Sequence, residues 1–338
     1  MSLTTFIRAG CAGAAAASLA IATTAAVRPP ASGWMAYVSN EHDGTITAID
    51  LTTNRAVRTI RVGTGPRGIH ASPDGRTVYV AMSDTARRRQ SDRDGIAAVD
   101  ARTARVVRRF IAGSDPEAFA LSPDGKTLYS SNEDAGTASI TDIATGRVVA
   151  TLGVGIEPEG VAVSPDGRWV YVTAETSNTI SVIDTKSRRV VHNMLVDARP
   201  RGTAFAPDGR SAFVTAEIAG TLGRIDVATH EVADVVDLQP ALCKPVGVVV
   251  SPDGRRVFVA NGGANTVTVF DARTLKQTAR IAVGRRPWGI AITPDGSRVI
   301  TANGVGGTAS IIDTRTLRVV ATVPAGRGAW GVAVAPRP

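Results

Sequence analysis

From residue 34 onwards, short apolar runs separated by polar turns fill the chain, and they recur in groups of four. One group shows the plan. Gly160-Val161-Ala162-Val163-Ser164 leads into the turn Pro165-Asp166-Gly167, then Trp169-Val170-Tyr171-Val172-Thr173. A polar loop brings the run from Thr179 to Asp184, and a tight turn brings the run from Arg189 to Val196. Runs of this length, rich in Val, Ile, Thr and Tyr and bounded by Gly, Pro, Asn and Asp, are strands joined as hairpins. No longer stretch carries a helical apolar period. The inner runs are apolar at successive positions rather than alternating, so both faces of each sheet must be covered.

The groups keep a fixed beat. The Asp of the Pro-Asp-Gly turn recurs at Asp74, Asp124, Asp166, Asp208, Asp253 and Asp295, with steps of 50, 42, 42, 45 and 42 residues. Four-stranded sheets at this period, each covered by the next, describe a β-propeller. The third run ends in Asp50, Asp100, Asp142, Asp184, Asp226, Asp271 and Asp313, which counts seven blades. The chain enters on a second-type run (Met35 to Ser39) and ends on a first-type run (Gly331 to Ala335). The expectation is an all-β, seven-bladed propeller of four-stranded antiparallel blades, the ring closed by N- and C-terminal strands in one blade. Residues 31–338 form it.

Residues 1–30 differ. Arg8 stands before an Ala-rich stretch to Val27 with small residues near Thr23 to Ala26, the pattern of a cleaved export signal; an uncleaved anchor fits less well. A periplasmic or secreted location follows. Cys11 would leave with the signal, and Cys243 would be alone, so no intramolecular disulfide is expected. The formal charge of +8 invites a nucleic-acid reading. Against it, the Arg excess sits on fourth-type strands (Arg58, Arg61, Arg108, Arg109, Arg188, Arg189, Arg280, Arg318), where charge blocks edge-to-edge aggregation, and no aromatics interleave with it.

The Pro-Asp-Gly turns and the Asp-x-x-Thr/Ser turns, present in nearly every repeat, are structural. Both fall on one face. The other face carries the loops that vary, and varied loops on a rigid scaffold carry specificity. The position just ahead of the innermost strand reads Arg67, Glu117, Glu159, Arg201, Val246, Trp288 and Trp330; the end of the second strand reads Glu41, Ser83, Glu133, Glu175, Glu217, Gly262 and Gly304. An acidic arc therefore faces an arc of two indoles beside glycines, with Asn261 and Asn303 expected to flank it as amide donors and acceptors. Such a mouth suits a small molecule or a partner protein. The structural alternative is that Arg67 with Glu117, and Glu159 with Arg201, are salt bridges between blades and the indoles plug a tunnel.

Other chemistries find little support. The four His residues are expected in different blades at different depths, which argues against a metal site, and no Asp-x-Asp calcium loop occurs. Nucleophile-elbow, Walker and dinucleotide motifs are absent. No catalytic residue, metal or cofactor is assigned.

The run Met35-Ala36-Tyr37-Val38-Ser39-Asn40, its copies at Tyr171 to Ala174 and Phe258 to Asn261, and the Ser-Pro-Asp-Gly turns resemble the YVTN-type β-propeller repeat. A narrower resemblance, through Tyr37 to Glu41, Asp115-Pro116-Glu117, Ser131 to Asp134, Glu157 to Gly160, Val196 to Arg201, Ala216 to Gly220 and Pro287-Trp288-Gly289, is to the β-propeller proteins associated with PQQ-dependent alcohol catabolism in bacteria. That family is exported and has no assigned reaction. The chain departs from it in the Arg87 to Gly95 insertion and in a short Cys243-Lys244 stretch. The docking signature of PQQ-binding propellers is missing, so PQQ binding is not expected. The resemblance implies an exported location and a place in that pathway, not a chemistry; the leading reading is a monomeric, non-catalytic propeller that binds a small molecule or a periplasmic redox protein through its varied face. The alternatives are a lactonase- or lyase-like enzyme and a nucleic-acid or cell-surface binding module.

Overall fold

The computed structural model describes residues 33–84 and 94–338. Those residues form twenty-eight strands and no helix, in seven four-stranded antiparallel sheets. Blades 1 to 6 are continuous: 66–110, 119–153, 158–195, 200–237, 245–282 and 287–324. Blade 7 takes its innermost strand, Ala329–Pro336, from the C-terminus and its other three, Trp34–Asn40, Thr45–Asp50 and Arg55–Arg61, from the N-terminus. Met35 lies opposite Ala335 and Val38 opposite Val332, so the ring closes as the strand order predicts. The expected export signal and Arg87 to Arg93 of the insertion lie outside the described residues.

Strand Trp34–Asn40 shows why the inner runs read as almost continuously apolar. Met35 and Tyr37 pack with Val78 and Val80 of blade 1. Ala36 and Val38 pack the other way, with Ile300 and Ile311 of blade 6. A strand covered on both faces has no polar phase to show. The second strand of each blade puts a large side chain against the next blade at one fixed position; Tyr37, Tyr171, Phe213 and Phe258 hold it fully buried. Burying such a side chain contributes about 1.5–3 kcal/mol relative to leaving it exposed.

The turns of the conserved face are built as expected. The Ser122 hydroxyl donates to Asp124 Oδ1 at 2.6 Å, and the Thr145 N–H donates to Asp142 Oδ1 at 2.7 Å. At Asp226 the donor is the Ala228 N–H rather than that of Thr229. The outer-strand arginines do more than guard edges. Arg58 donates to the Arg102 carbonyl at 2.9 Å and Arg108 to the Ile143 carbonyl at 2.7 Å, each stapling its blade to the next.

Candidate functional site at the mouth of the ring

Each innermost strand starts on the face opposite those turns, where each second strand ends, and each blade delivers three side-chain positions there. The two columns expected from the sequence are both present. The first column, Glu117 apart, lies inside the innermost strands rather than ahead of them: Glu159 is the second residue of strand Pro158–Val163. A third column was missed. It occupies the residue before the proline that opens most innermost strands: Gly65, Asp115, Glu157, Arg199, Lys244, Arg286 and Gly328. All seven have positive φ, from 48° at Asp115 to 68° at Gly328. The recurring X-Pro dipeptide was the available signal. The carbonyl of this residue accepts the N–H of the second-strand column, as from Glu175 to Glu157 at 2.9 Å and from Glu217 to Arg199 at 2.8 Å. The left-handed conformation costs a non-glycine residue about 1–2 kcal/mol; it also recurs at Asn54, Ala104 and Leu317 in turns of the other face, so it is a habit of this fold.

A hydroxyl relay fixes the central column. Thr173 Oγ1 accepts the Gly160 N–H of its own blade at 2.8 Å and donates to the Arg201 carbonyl of the next at 2.7 Å. Ser131 joins Ala118 to Glu159, and Ser39 joins Gly331 to Arg67, in the same way. The glycines permit this approach. A Cβ on Gly160 would stand 2.2 Å from the Arg201 carbonyl oxygen.

The mouth has two unlike halves. In the first, Arg201 contacts Glu159, Glu175 (2.7 Å) and Glu217 (2.8 Å), all four buried. Arg199 forks onto Glu175 at 2.9 and 3.2 Å. Arg67 contacts Glu117, holds Glu41 at 2.9 Å, and lies 3.5 Å from Asp115 and 3.8 Å from Glu133. Both expected interblade salt bridges are thus present, each inside its own cluster, one around Arg67 and one around Arg199 and Arg201. Burial, with Asp115 adding, raises Glu133 to about 7 against the pull of Arg67. Burial also raises Glu175 to about 7, opposed by Arg199 and helped by Glu157 and Glu133. The trios Asp115, Glu117, Glu133 and Glu133, Glu157, Glu175 bring carboxylate oxygens within 4.8 Å of one another, an all-oxygen set of the kind a hard cation takes.

The second half is open and aromatic. The Trp288 and Trp330 rings lie 6.0 Å apart at 46°. Arg201 stacks on Trp288 at 5.3 Å and Arg286 at 4.9 Å. Gly304, Val305 and Gly328 complete this side, and the two halves enclose a cavity of about 520 Å³. Glu159, Arg201, Trp288 and Trp330 also line the end of a central tunnel of about 530 Å³, walled by the innermost strands.

The structure gathers Glu41, Arg67, Glu117, Glu133, Glu159, Glu175, Arg201, Trp288 and Trp330 around the cavity, with Glu217 behind Arg201. It does not bring Asn261 and Asn303 there. Both are buried and spend their amide donors inside their blades, Asn261 on Thr266 and Thr268 and Asn303 on Thr308 and Ser310. The four histidines lie in different blades, as expected, but two of them meet across a blade boundary. His192 and His230 stack at 6.1 Å on the outer side of neighbouring blades, and His230 Nδ1 lies 2.8 Å from the Tyr171 hydroxyl.

Comparisons with known proteins agree on the architecture. A family model for the Cytochrome D1 heme domain matches residues 207–337, and one for the choice-of-anchor I domain matches residues 17–194. No curated protein matches the chain in sequence. Among solved structures, hydrazine synthase of Kuenenia stuttgartiensis superposes with a TM-score of 0.69 at 25% identity, covering 80% of this chain and 90% of that one. A functionally unknown protein from Desulfotomaculum acetoxidans gives 0.74 at 17% identity, covering 89% and 98%. A candidate 6-phosphogluconolactonase from Bacteroides uniformis gives 0.74 at 15% identity, covering 89% and 99%.

The mouth does not fit a haem. The sole histidine of residues 207–337 is His230, which sits in a turn of the far face. The one imidazole lining the mouth, His42, has its side chain 67% exposed beside Glu41. The cavity floor is an ion-pair network rather than an apolar slot for a macrocycle. With more than half of its length matched by that model, the chain belongs to the choice-of-anchor I domain family, here as a seven-bladed β-propeller.

Proposed function

We propose that the chain is an exported, non-catalytic propeller that binds a small molecule in its mouth, accessory to periplasmic PQQ-dependent alcohol oxidation. The observation that carries the binding role is the division of one cavity into an ion-paired half and a half walled by the indoles of Trp288 and Trp330 with glycines beside them. A cavity of several hundred Å³ with an aromatic wall and a few oriented polar groups is the ordinary form of a small-molecule site. Location and pathway rest on the basic, Ala-rich N-terminus and on the resemblance to the PQQ-associated propellers. The test is quenching of intrinsic Trp fluorescence by a panel of alcohols, aldehydes, lactones and PQQ. Saturable quenching lost in both Trp288→Ala and Trp330→Ala supports the site. Lactone turnover abolished by Glu133→Gln would replace it with the enzyme reading.

A second reading, docking of a periplasmic redox protein over the same face, is favoured by where apolar side chains are exposed. Ile111, Ile156, Leu195, Ile218, Leu242 and Val305 stand out around the mouth face, each more than half exposed. Among the described residues the other large exposed aliphatics lie on the outermost strands, and none lies in the turns of the far face. Ile218→Asp and Leu242→Asp should then weaken binding of a purified periplasmic cytochrome c, while Val57→Asp on the circumference should not.

A further inference from the structure

Among the described residues lining the mouth there are four guanidinium groups, and three are consumed by carboxylates. Arg286 differs. It is exposed, no carboxylate among the described residues pairs with it, and it stacks on Trp288 at 4.9 Å. Its backbone sits at φ 55°, with its N–H bonded to Asn265 Oδ1 at 2.7 Å and its carbonyl accepting the Gly304 N–H at 2.8 Å. Stacking engages the face of a guanidinium and leaves the N–H edge free, which is the edge that grips a carboxylate with two parallel hydrogen bonds. The Trp330 ring centre lies 6.0 Å from that of Trp288, and neighbouring Gly304 and Gly328 add no side chain to block the approach to it.

Across the same cavity the charge is opposite. Six carboxylates line it against the four guanidiniums. Glu133 has Arg67 as its nearest cation, at 3.8 Å; Glu157 accepts the Thr176 hydroxyl and brings a carboxylate oxygen within 4.8 Å of those of Glu133 and Glu175. A second anionic group reaching that side would meet uncompensated charge; an ammonium would relieve it.

We propose that the ligand of this site is an amphoteric planar molecule, its carboxylate held by Arg286, its ring against the indoles of Trp288 and Trp330, and its distal cationic end toward Glu133 and Glu157. This assignment rests on the small-molecule reading above and narrows it to a charge class. Four probes of one shape separate the terms: 4-(aminomethyl)benzoate, 4-methylbenzoate, benzylamine and terephthalate, titrated against the full chain by Trp fluorescence and calorimetry. The zwitterion should bind about tenfold more tightly than either singly charged probe, the size of one charge-assisted hydrogen-bond pair, and the dianion most weakly. Arg286→Gln should bring the zwitterion down to the affinity of benzylamine, with Arg286→Lys falling between, and unchanged thermal unfolding shows that the fold is intact. Terephthalate or benzylamine binding as tightly as the zwitterion, or a preference that survives Arg286→Gln, overturns the assignment while leaving a ligand-binding mouth. Quenching by the alcohol and lactone panel with none by these four also overturns it alone. Silence of every compound in both panels removes the small-molecule reading itself.

Discussion

Arg201 Nε lies 2.8 Å from Glu217 Oε2 within blade 4, while the same guanidinium reaches back to Glu159 of blade 3. One buried side chain thereby ties two blades at the edge of the tunnel and balances three carboxylates. Removing one partner of a buried ion pair costs about 3–5 kcal/mol, because the remaining charges lose their counter-ion without regaining water. Arg201→Met should therefore lower the unfolding free energy read from denaturant titration by about 3–5 kcal/mol at pH 8. Lysine, a point charge without the fork, should recover only part of it. A loss below about 1 kcal/mol would show that water already screens the network.

The raised carboxyls predict a pH signature. Glu133 and Glu175 titrate near 7 in the folded chain against an ordinary 4.5. Between those values the folded chain holds protons that the unfolded chain has released, so their contribution to stability falls as pH rises through the window. Burial works oppositely on His70, lowered to about 4: there the unfolded chain binds the extra proton, and stability rises with pH. The two trends overlap, so the carboxyl share is read as a difference. The melting temperature of the Glu133→Gln/Glu175→Gln variant minus that of the parent should grow more positive from pH 5 to pH 8 and level off above. A flat difference would mean that both carboxylates are ionised throughout.

The fold was legible because each blade repeats one problem. Tyr37, Tyr171 and Phe258 recur at one phase of the second strand since each must cover the next blade, and that covering erases the polar face. Ring closure was legible because the chain enters and leaves at complementary strands. The mouth was half legible. Residues that break the repeat, such as Trp288 and Glu159, stand out against it. Asn303 misled because it sits beside a mouth position yet turns into its blade, toward Ser310, and sequence order does not record side-chain direction along a pleat. The Arg286 column hid in a dipeptide that reads as turn punctuation. The His192–His230 stack hid because it joins residues from different blades, which periodicity alone does not align.

Ring closure predicts a disproportionate effect of a short deletion. Residues 331–338 hold Val332, Ala333 and Ala335 in the core, take the Ser39 hydroxyl through the Gly331 N–H at 2.9 Å, and pair Arg337 with Asp50. Without them blade 7 has three strands and an exposed inner edge, and blades 6 and 1 lose a shared wall. Deleting these residues should lower the melting temperature by more than about 10 °C or give aggregated protein, as open strand edges do. A fall of less than about 3 °C with the protein still monomeric would contradict closure.

The hydroxyl relay makes the sharpest local prediction. Thr173 Oγ1 serves a buried N–H in its own blade and a buried carbonyl in the next, and no other side-chain group bonds either atom. Valine has nearly the same shape and neither function, so Thr173→Val leaves a donor and an acceptor unpaired. An unmet buried polar group costs about 1–3 kcal/mol. The free energy of urea unfolding should fall by that amount, as a lower midpoint at unchanged slope, since the exposed area on unfolding is the same. Thr173→Ser keeps the hydroxyl and should restore most of the loss despite removing a methyl group. If serine proves no better than valine, the methyl rather than the relay holds blades 3 and 4 in register, and the mouth side chains take their positions from packing alone.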